Sequence, residues 1–219
     1  MREKSYRSKA ERPIKVLQVI TRLIPGGAAY IALNLSRGLK ERGFHVCLAG
    51  ALEPEMTEEI RETGASFYPI PELRREINPL SDLKAFIKLY NLISKNNYQI
   101  VHTHTSKAGI LGRLAARLAQ TPVIIHTPHG SIFHPTFFSL PSRWFFALIE
   151  RITAYWADNI IAICQSEVSD YLRHRIAPKE KYFVIQGIFD PDRFRQTQVN
   201  IKEKKQKLGL PEDSFVIGM

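Results

Sequence analysis

Ile14-Lys-Val-Leu-Gln-Val-Ile20, then the break Pro25-Gly26-Gly27, then Ala28, Ile31, Ala32, Leu35 and Leu39 form the stretch on which the fold turns. The opening run is short, branched and apolar, as a strand covered on both faces must be. The apolar residues after the glycines recur at helical spacing and stop at Gly43. A strand, a tight glycine turn and a helix therefore follow in order. Outward from this unit, Phe44 to Ala49 reads as a second strand, Glu53 to Thr63 as an acidic exposed helix, and Ala65 to Pro69 as a short third strand.

Asn78-Pro79 is a helix start, a capping residue followed by proline in the first turn. Leu80, Leu83, Ile87 and Tyr90 are expected to carry the buried stripe of that helix to about Asn96. Gln99 to His102 reads as a strand. Ser106 to Ala119 reads as a helix whose Gly109, Gly112, Ala115 and Ala116 permit close packing on a sheet. Val123 to His126, Ala157 to Ile163 and Phe183 to Ile185 are further strands. Strands alternating with helices predict an α/β domain, a doubly wound parallel sheet over residues 13–195. Residues 1–12 are expected to be a disordered basic tail. Residues 196–219 are expected to be a linker and the start of a truncated second domain, because Phe215-Val-Ile-Gly-Met219 resembles a strand cut off as it begins.

Hydrophobic residues make up 44% of 219 residues, enough for one packed α/β domain and thin for two. Lys and Arg number 31 against 21 Asp and Glu, a net charge of +10. That excess suits an anionic membrane face or phosphorylated substrates, or a basic surface with no partner. No base-reading basic helix and no aromatic RNA-binding signature stands out, so no nucleic-acid partner is expected. Cys47 and Cys164 sit in apolar runs and read as core residues of a protein in a reducing compartment. No run reaches the about 18 apolar residues of a membrane span. No signal peptide is visible at the N-terminus. The expected location is cytoplasmic, with peripheral contact at the inner face of the membrane.

Ligands of an open parallel sheet bind beyond the carboxyl ends of its strands. Thr21, Arg22, Gly26 and Gly27 are expected there after the first strand. Thr103, His104, Thr105 and Ser106 are expected after the fourth, and Thr127, His129 and Gly130 after the fifth. Gly26-Gly27 opens a helix, where bare amides and the helix dipole suit a diphosphate; a tight turn alone would need the same glycines. His102, His104, His126 and His129 cluster, but no carboxylate or cysteine completes a zinc set, so no metal is expected. The segment from Ser131 to Trp156 is rich in aromatic residues, with Arg143 and Arg151 interspersed. It reads as a surface touching lipid or a lipid-linked acceptor, or as a helix buried against another domain.

Lys15 to Ala28 resembles the opening strand and glycine loop of glycosyltransferase family 4. Ile100 to Gly109 with Gly112-Arg113 and Ala115-Ala116 is similar to its fourth strand and following helix. His126-Thr-Pro-His-Gly130 with Phe133-His134 resembles its histidine loop, and Glu150-Arg151 with Ala157-Asp158 to Ala162-Ile163 its sixth strand. The resemblance implies the N-terminal, acceptor-side domain of a GT-B enzyme, Rossmann-like, retaining and metal-free. It implies Gly26 and Gly27 at the diphosphate of a nucleotide-sugar and His129 as the catalytic residue at the reacting sugar. His104, Thr105, Lys107, Phe133 and His134 would line the side that takes a lipid-linked sugar or polysaccharide acceptor. The family's paired glutamates, eight apart in the second domain, are missing, so this chain alone is expected to be inactive. Gln99 replaces a usual Asp, Cys164-Gln165 a usual Ser-Glu, and Gly187-Ile-Phe-Asp190 carries one residue more than usual.

Two other readings stand beside the transferase: a module that binds an anionic membrane or a partner, and a metal-dependent hydrolase using the histidines. A dinucleotide oxidoreductase would need G-x-G-x-x-G after the first strand, which is absent.

Overall fold

A computed structural model describes residues 13–130, 140–187 and 199–217, with the side chains of 140–143 left out. Phe133 and His134, the tail 1–12 and the 195/196 boundary lie outside the described residues. The chain divides into two compact units, Met1–Gly187 and Ile188–Met219.

The larger unit is a seven-stranded parallel sheet. Its strands are β1 (Lys15–Leu23), β2 (His45–Leu52), β3 (Ser66–Pro69), β4 (Ile100–His104), β5 (Val123–Thr127), β6 (Asn159–Ala162) and β7 (Tyr182–Val184), in the order β3-β2-β1-β4-β5-β6-β7. The helices are α1 (Gly27–Glu41), α2 (Thr57–Glu62), α3 (Pro79–Asn96), α4 (Ser106–Leu118), α5 (Leu140–Trp156) and α6 (Gln165–Arg173). This is the expected doubly wound, Rossmann-like α/β fold. Strand order turns back between β1 and β4, so the binding crevice of such a sheet lies beyond their carboxyl ends.

Alternation along β1 sends Leu17 and Val19 into a core with Ala85, Leu89, Leu92 and Ile93 of α3 and Ala108, Ala115 and Ala116 of α4. Ile20 and Leu23 join Ala29, Ala32 and Leu33 of α1 in a second core. Helix α4 sits close on the sheet: a Cβ on Gly109 would lie 2.4 Å from His126 and one on Gly112 2.7 Å from Thr103. The small residues of this helix are thus steric requirements.

Several boundaries differ from the sequence reading. β1 and β4 run further than expected, so Thr21 and Arg22 belong to β1, and Thr103 and His104 to β4. Cys164 is exposed at the start of α6 and is not a core strand residue. The largest correction concerns α3. Its buried residues are Ala85, Leu89, Leu92 and Ile93, and the expected stripe Leu80, Leu83, Ile87 and Tyr90 faces outward, with Leu80 75% exposed. Two apolar stripes share this helix, and the tighter, smaller one fits the sheet. The start is as read: the Asn78 side chain accepts from the Ser81 amide 3.1 Å away.

The smaller unit holds α7 (Ile201–Lys207), capped by the Asn200 side chain, which accepts from Glu203 N. Phe215 to Ile217, expected to begin a strand, belong to none, and Phe215 is 91% exposed. A strand needs a neighbour for its backbone groups, and no described residue pairs with these.

Candidate functional site

At the turning point of strand order, a hydroxyl chain joins β1 to β4. Ala108 N donates to Thr21 Oγ1 (3.1 Å), Thr21 and Thr105 share a 2.7 Å bond, and the Thr105 hydroxyl donates to His104 O (2.5 Å). Because Thr105 has spent its proton, Thr21 is the donor between them. Thr105 lies on left-handed backbone, φ 65°, immediately before α4.

Helix α1 begins at Gly27 with no side-chain cap and no acidic residue in its first turn. A Cβ on Gly27 would meet nothing within 4 Å. Neither packing nor φ demands glycine there, so bare amides at this helix start stay open to an anion. Gly27→Ala should therefore fold normally and melt no lower than wild type, since alanine is the better helix former by up to about 1 kcal/mol. Its Cβ, standing in the open space before these amides, should weaken binding of inorganic pyrophosphate in calorimetry. A melting temperature lowered with binding intact would reverse this assignment of the glycine.

His129 follows β5 at φ 62°, a strained position for a residue with a side chain, and Gly130 follows at φ 125°. The turn is fastened by buried Glu167 of α6, whose two oxygens accept from Gly130 N (2.7 Å) and Ile163 N (2.8 Å). The imidazole reaches back to the sheet. His129 Nε2 lies 2.8 Å from His104 Nδ1, and His104 Nε2 lies 2.6 Å from Gln18 Oε1 in the middle of β1. The His102 ring lies tilted by 38° against that of His104, with ring centres 4.2 Å apart, and bonds Thr127 Oγ1 at 2.8 Å. Burial holds His129 down at about 4 and His102 at about 3, where the nearby His129 adds to it; His104 is pushed down by burial first and then by its neighbouring histidines. All three imidazoles are neutral near pH 7. The Nδ1 of His129 is enclosed and has no hydrogen-bond partner among the described residues.

On the opposite face of the sheet a second polar group supports β4 and β5. His126 Nδ1 lies 2.9 Å from Thr103 Oγ1. Fully buried Arg113 donates from Nε to Gly109 O (2.8 Å) and from Nη2 to Glu150 Oε2 of α5 (2.9 Å). Glu150 Oε1 lies 3.6 Å from His126 Nε2.

Gly26, Gly27, Thr105 and His129 thus share one edge of the sheet. His104 is wholly buried with both ring nitrogens engaged, so it stands behind His129 and does not line the opening. Lys107 is tied to α3 through Asp82 Oδ1 at 2.7 Å, and to the segment before α3 through the Glu76 carbonyl. Gln18 and Glu167 escaped the sequence reading. A glutamine inside an apolar strand was the available sign for the first. Glu167 sits four positions from Ile163 but 37 from Gly130, whose amide it fastens in the histidine turn, and no sequence motif announces that second bond. Among the described residues, no group of three or more His, Cys, Asp or Glu is placed to hold a metal ion.

The sequence model of Glycosyltransferase Family 4 matches residues 25–193. The chain is 32% identical over 210 residues to an Escherichia coli UDP-Gal:alpha-D-GlcNAc-diphosphoundecaprenol alpha-1,3-galactosyltransferase, covering 94% of this chain and 53% of that protein. It is 29% identical over 167 residues to the capsular polysaccharide biosynthesis glycosyltransferase CapM of Staphylococcus aureus, 74% of this chain and 42% of that one. The chain therefore spans about half the length of the curated relatives it matches. The crystal structure of Anabaena Alr3699/HepE in complex with UDP and glucose superposes with a TM-score of 0.71 at 18% identity, over 90% of this chain and 50% of that one, a likeness of fold.

Proposed function

This chain belongs to Glycosyltransferase Family 4, and from that premise we propose that it forms the acceptor-side half of a transferase moving a hexose or N-acetylhexosamine from a nucleotide-sugar to a lipid-linked acceptor. The observation that carries this reading is the neutral, strained His129 on the same sheet edge as the open, glycine-started helix α1. Amides of such a helix start suit the donor diphosphate. A neutral imidazole suits a sugar hydroxyl at the reacting centre, where a positioned partner lowers the barrier. We propose that the reaction retains the anomeric configuration, that no metal takes part, and that Thr105 with the loop carrying Phe133 and His134 lies on the acceptor side. The second domain's glutamates would be needed for turnover. The E. coli relative's name supplies the substrates to try first. The full-length protein should transfer galactose from UDP-galactose, or the sugar of a related UDP-sugar, to polyprenyl-diphosphate-linked N-acetylglucosamine with release of UDP, and with an α-linkage in the product by proton NMR. A β-linked product would sink retention, and no transfer from any UDP-sugar to any polyprenyl-linked sugar would sink the transferase reading.

A specific observation also favours contact with a membrane. Ile77, Leu80, Leu83, Ile87 and Tyr90 lie exposed along α3 and its entry, with Arg74, Arg75, Lys84 and Lys95 exposed around them. Trp144, Leu148, Ile152 and Tyr155 are exposed along α5. No described helix is long and apolar enough to cross a bilayer. Apolar stripes fringed by cations fit the surface of an anionic bilayer, where a lipid-linked acceptor would reside. Sedimentation with phosphatidylglycerol vesicles at low salt should carry the protein down, and Leu80→Glu/Leu83→Glu should leave it in solution. Equal sedimentation of both proteins would remove α3 from the interface.

A further inference from the structure

Three side chains far apart in sequence form one unbranched hydrogen-bond chain, Gln18 to His104 to His129. Its polarity follows from elementary chemistry. An amide oxygen only accepts, so at 2.6 Å His104 Nε2 carries the proton and donates it to Gln18 Oε1. A neutral imidazole has one N–H, so His104 Nδ1 is then a bare lone pair. The 2.8 Å bond to His129 must be made by a proton on His129 Nε2. That leaves His129 Nδ1 as the lone pair, and it is the enclosed nitrogen without a partner among the described residues. At the other end, Gln18 Nε2 is likewise enclosed and unpartnered. The chain thus runs from a donor deep in β1 to an acceptor in the loop after β5.

We propose that Gln18 is a positioning residue which, through His104, fixes the tautomer of His129 so that its Nδ1 presents a lone pair to a ligand hydroxyl. A phosphate oxygen has no proton to offer a lone pair and is refused there; a sugar hydroxyl is accepted. An enclosed acceptor left without a donor is costly, so this nitrogen favours such a ligand over none. The neutral state that the argument needs is the one burial imposes on all three histidines at pH 7. The backbone does its part: left-handed φ at His129 and the Glu167 clamp on Gly130 aim the ring back at β4. The ligand class rests on the transferase reading above, whereas the tautomer does not.

The two parts separate experimentally. In this chain, labelled with nitrogen-15 in its histidine rings, the wild-type spectrum at pH 7 should show His104 and His129 each protonated at Nε2 and bare at Nδ1. Protons on Nδ1 of both rings, the pattern expected if Gln18 donated through its nitrogen, would overturn the proposal without any substrate being present. So would a charged imidazolium at His129. Gln18→Met keeps the volume of the side chain and removes its polarity; both rings should then exchange between tautomers while distant backbone amides stay unshifted. A single unchanged tautomer in that variant would remove Gln18 as the positioning residue, even with the wild-type pattern as expected. In the full-length protein Gln18→Met should lower kcat about tenfold with little change in KM for the donor, the loss expected for one misdirected hydrogen bond. Unaltered kcat alongside mixed tautomers would show that transfer does not depend on the fixed ring. Absence of transfer in wild type would count against the transferase and leave the spectra to decide the tautomer.

Discussion

Between pH 6.5 and 4 the protein is expected to lose stability steeply. The cause is the set of imidazoles packed between β4, β5 and their loops. In the unfolded chain they take up protons near the ordinary value of 6.5, whereas folded His129 does so only near about 4 and His102 near about 3. Within that window the unfolded state binds more protons, so stability falls as pH falls. It is complete above 6.5, declines through the window, and levels for His129 below about 4 and for His102 below about 3. The shifts are worth on the order of 3 kcal/mol for His129 and about 5 kcal/mol for His102, a large part of the 5–15 kcal/mol of a typical domain. His104 and His126, pushed the same way by burial, add to the slope. Urea midpoints measured from pH 7.5 to 4.5 should drop continuously, and His102→Gln should flatten the drop. A midpoint unchanged between pH 7 and 5 would mean that these rings are not neutral in the folded protein.

The second large effect concerns Arg113 and Glu150, which are almost wholly buried against each other between α4 and α5. Arg113→Met should cost about 3–5 kcal/mol, because it strands a carboxylate beneath two helices. Glu150→Leu should cost a similar amount by stranding a guanidinium. The double variant should recover most of that loss, since two apolar side chains of similar volume need no partner. A double variant as unstable as the sum of the singles would show the pair acting independently. Exposed pairs such as Arg61–Glu58 are expected to contribute at most about 1 kcal/mol.

The parallel sheet was legible because its strands are short apolar runs between helical repeats, and because Gly109 and Gly112 stand where a helix must touch it. Periodicity alone could not decide α3. Leu80, Leu83, Ile87 and Tyr90 recur as regularly as Ala85, Leu89 and Leu92, and only the assembled core, where α3 packs beside α4, selects the second set. At the sheet edge, Gly26, Gly27 and His129 stood out in the sequence because glycines interrupt an apolar run and histidines recur in two short stretches. The partners that orient them were not. Gln18 acts across 86 positions and Glu167 across 37, and such pairings exist only once the sheet is assembled.

The order β3-β2-β1-β4-β5-β6-β7 has a consequence for a chain made from its N-terminus. Growth starts at β1; β2 and β3 add to one side, and β4, β5, β6 and β7 add to the other. Every strand therefore meets an edge already present when it leaves the ribosome, and none must be wedged between two partners that have paired. Domains form from the N-terminal side during synthesis, so this sheet can be laid down strand by strand without undoing an earlier pairing. The histidine loop comes late in that sequence, since its clamp, Glu167, emerges only after β6.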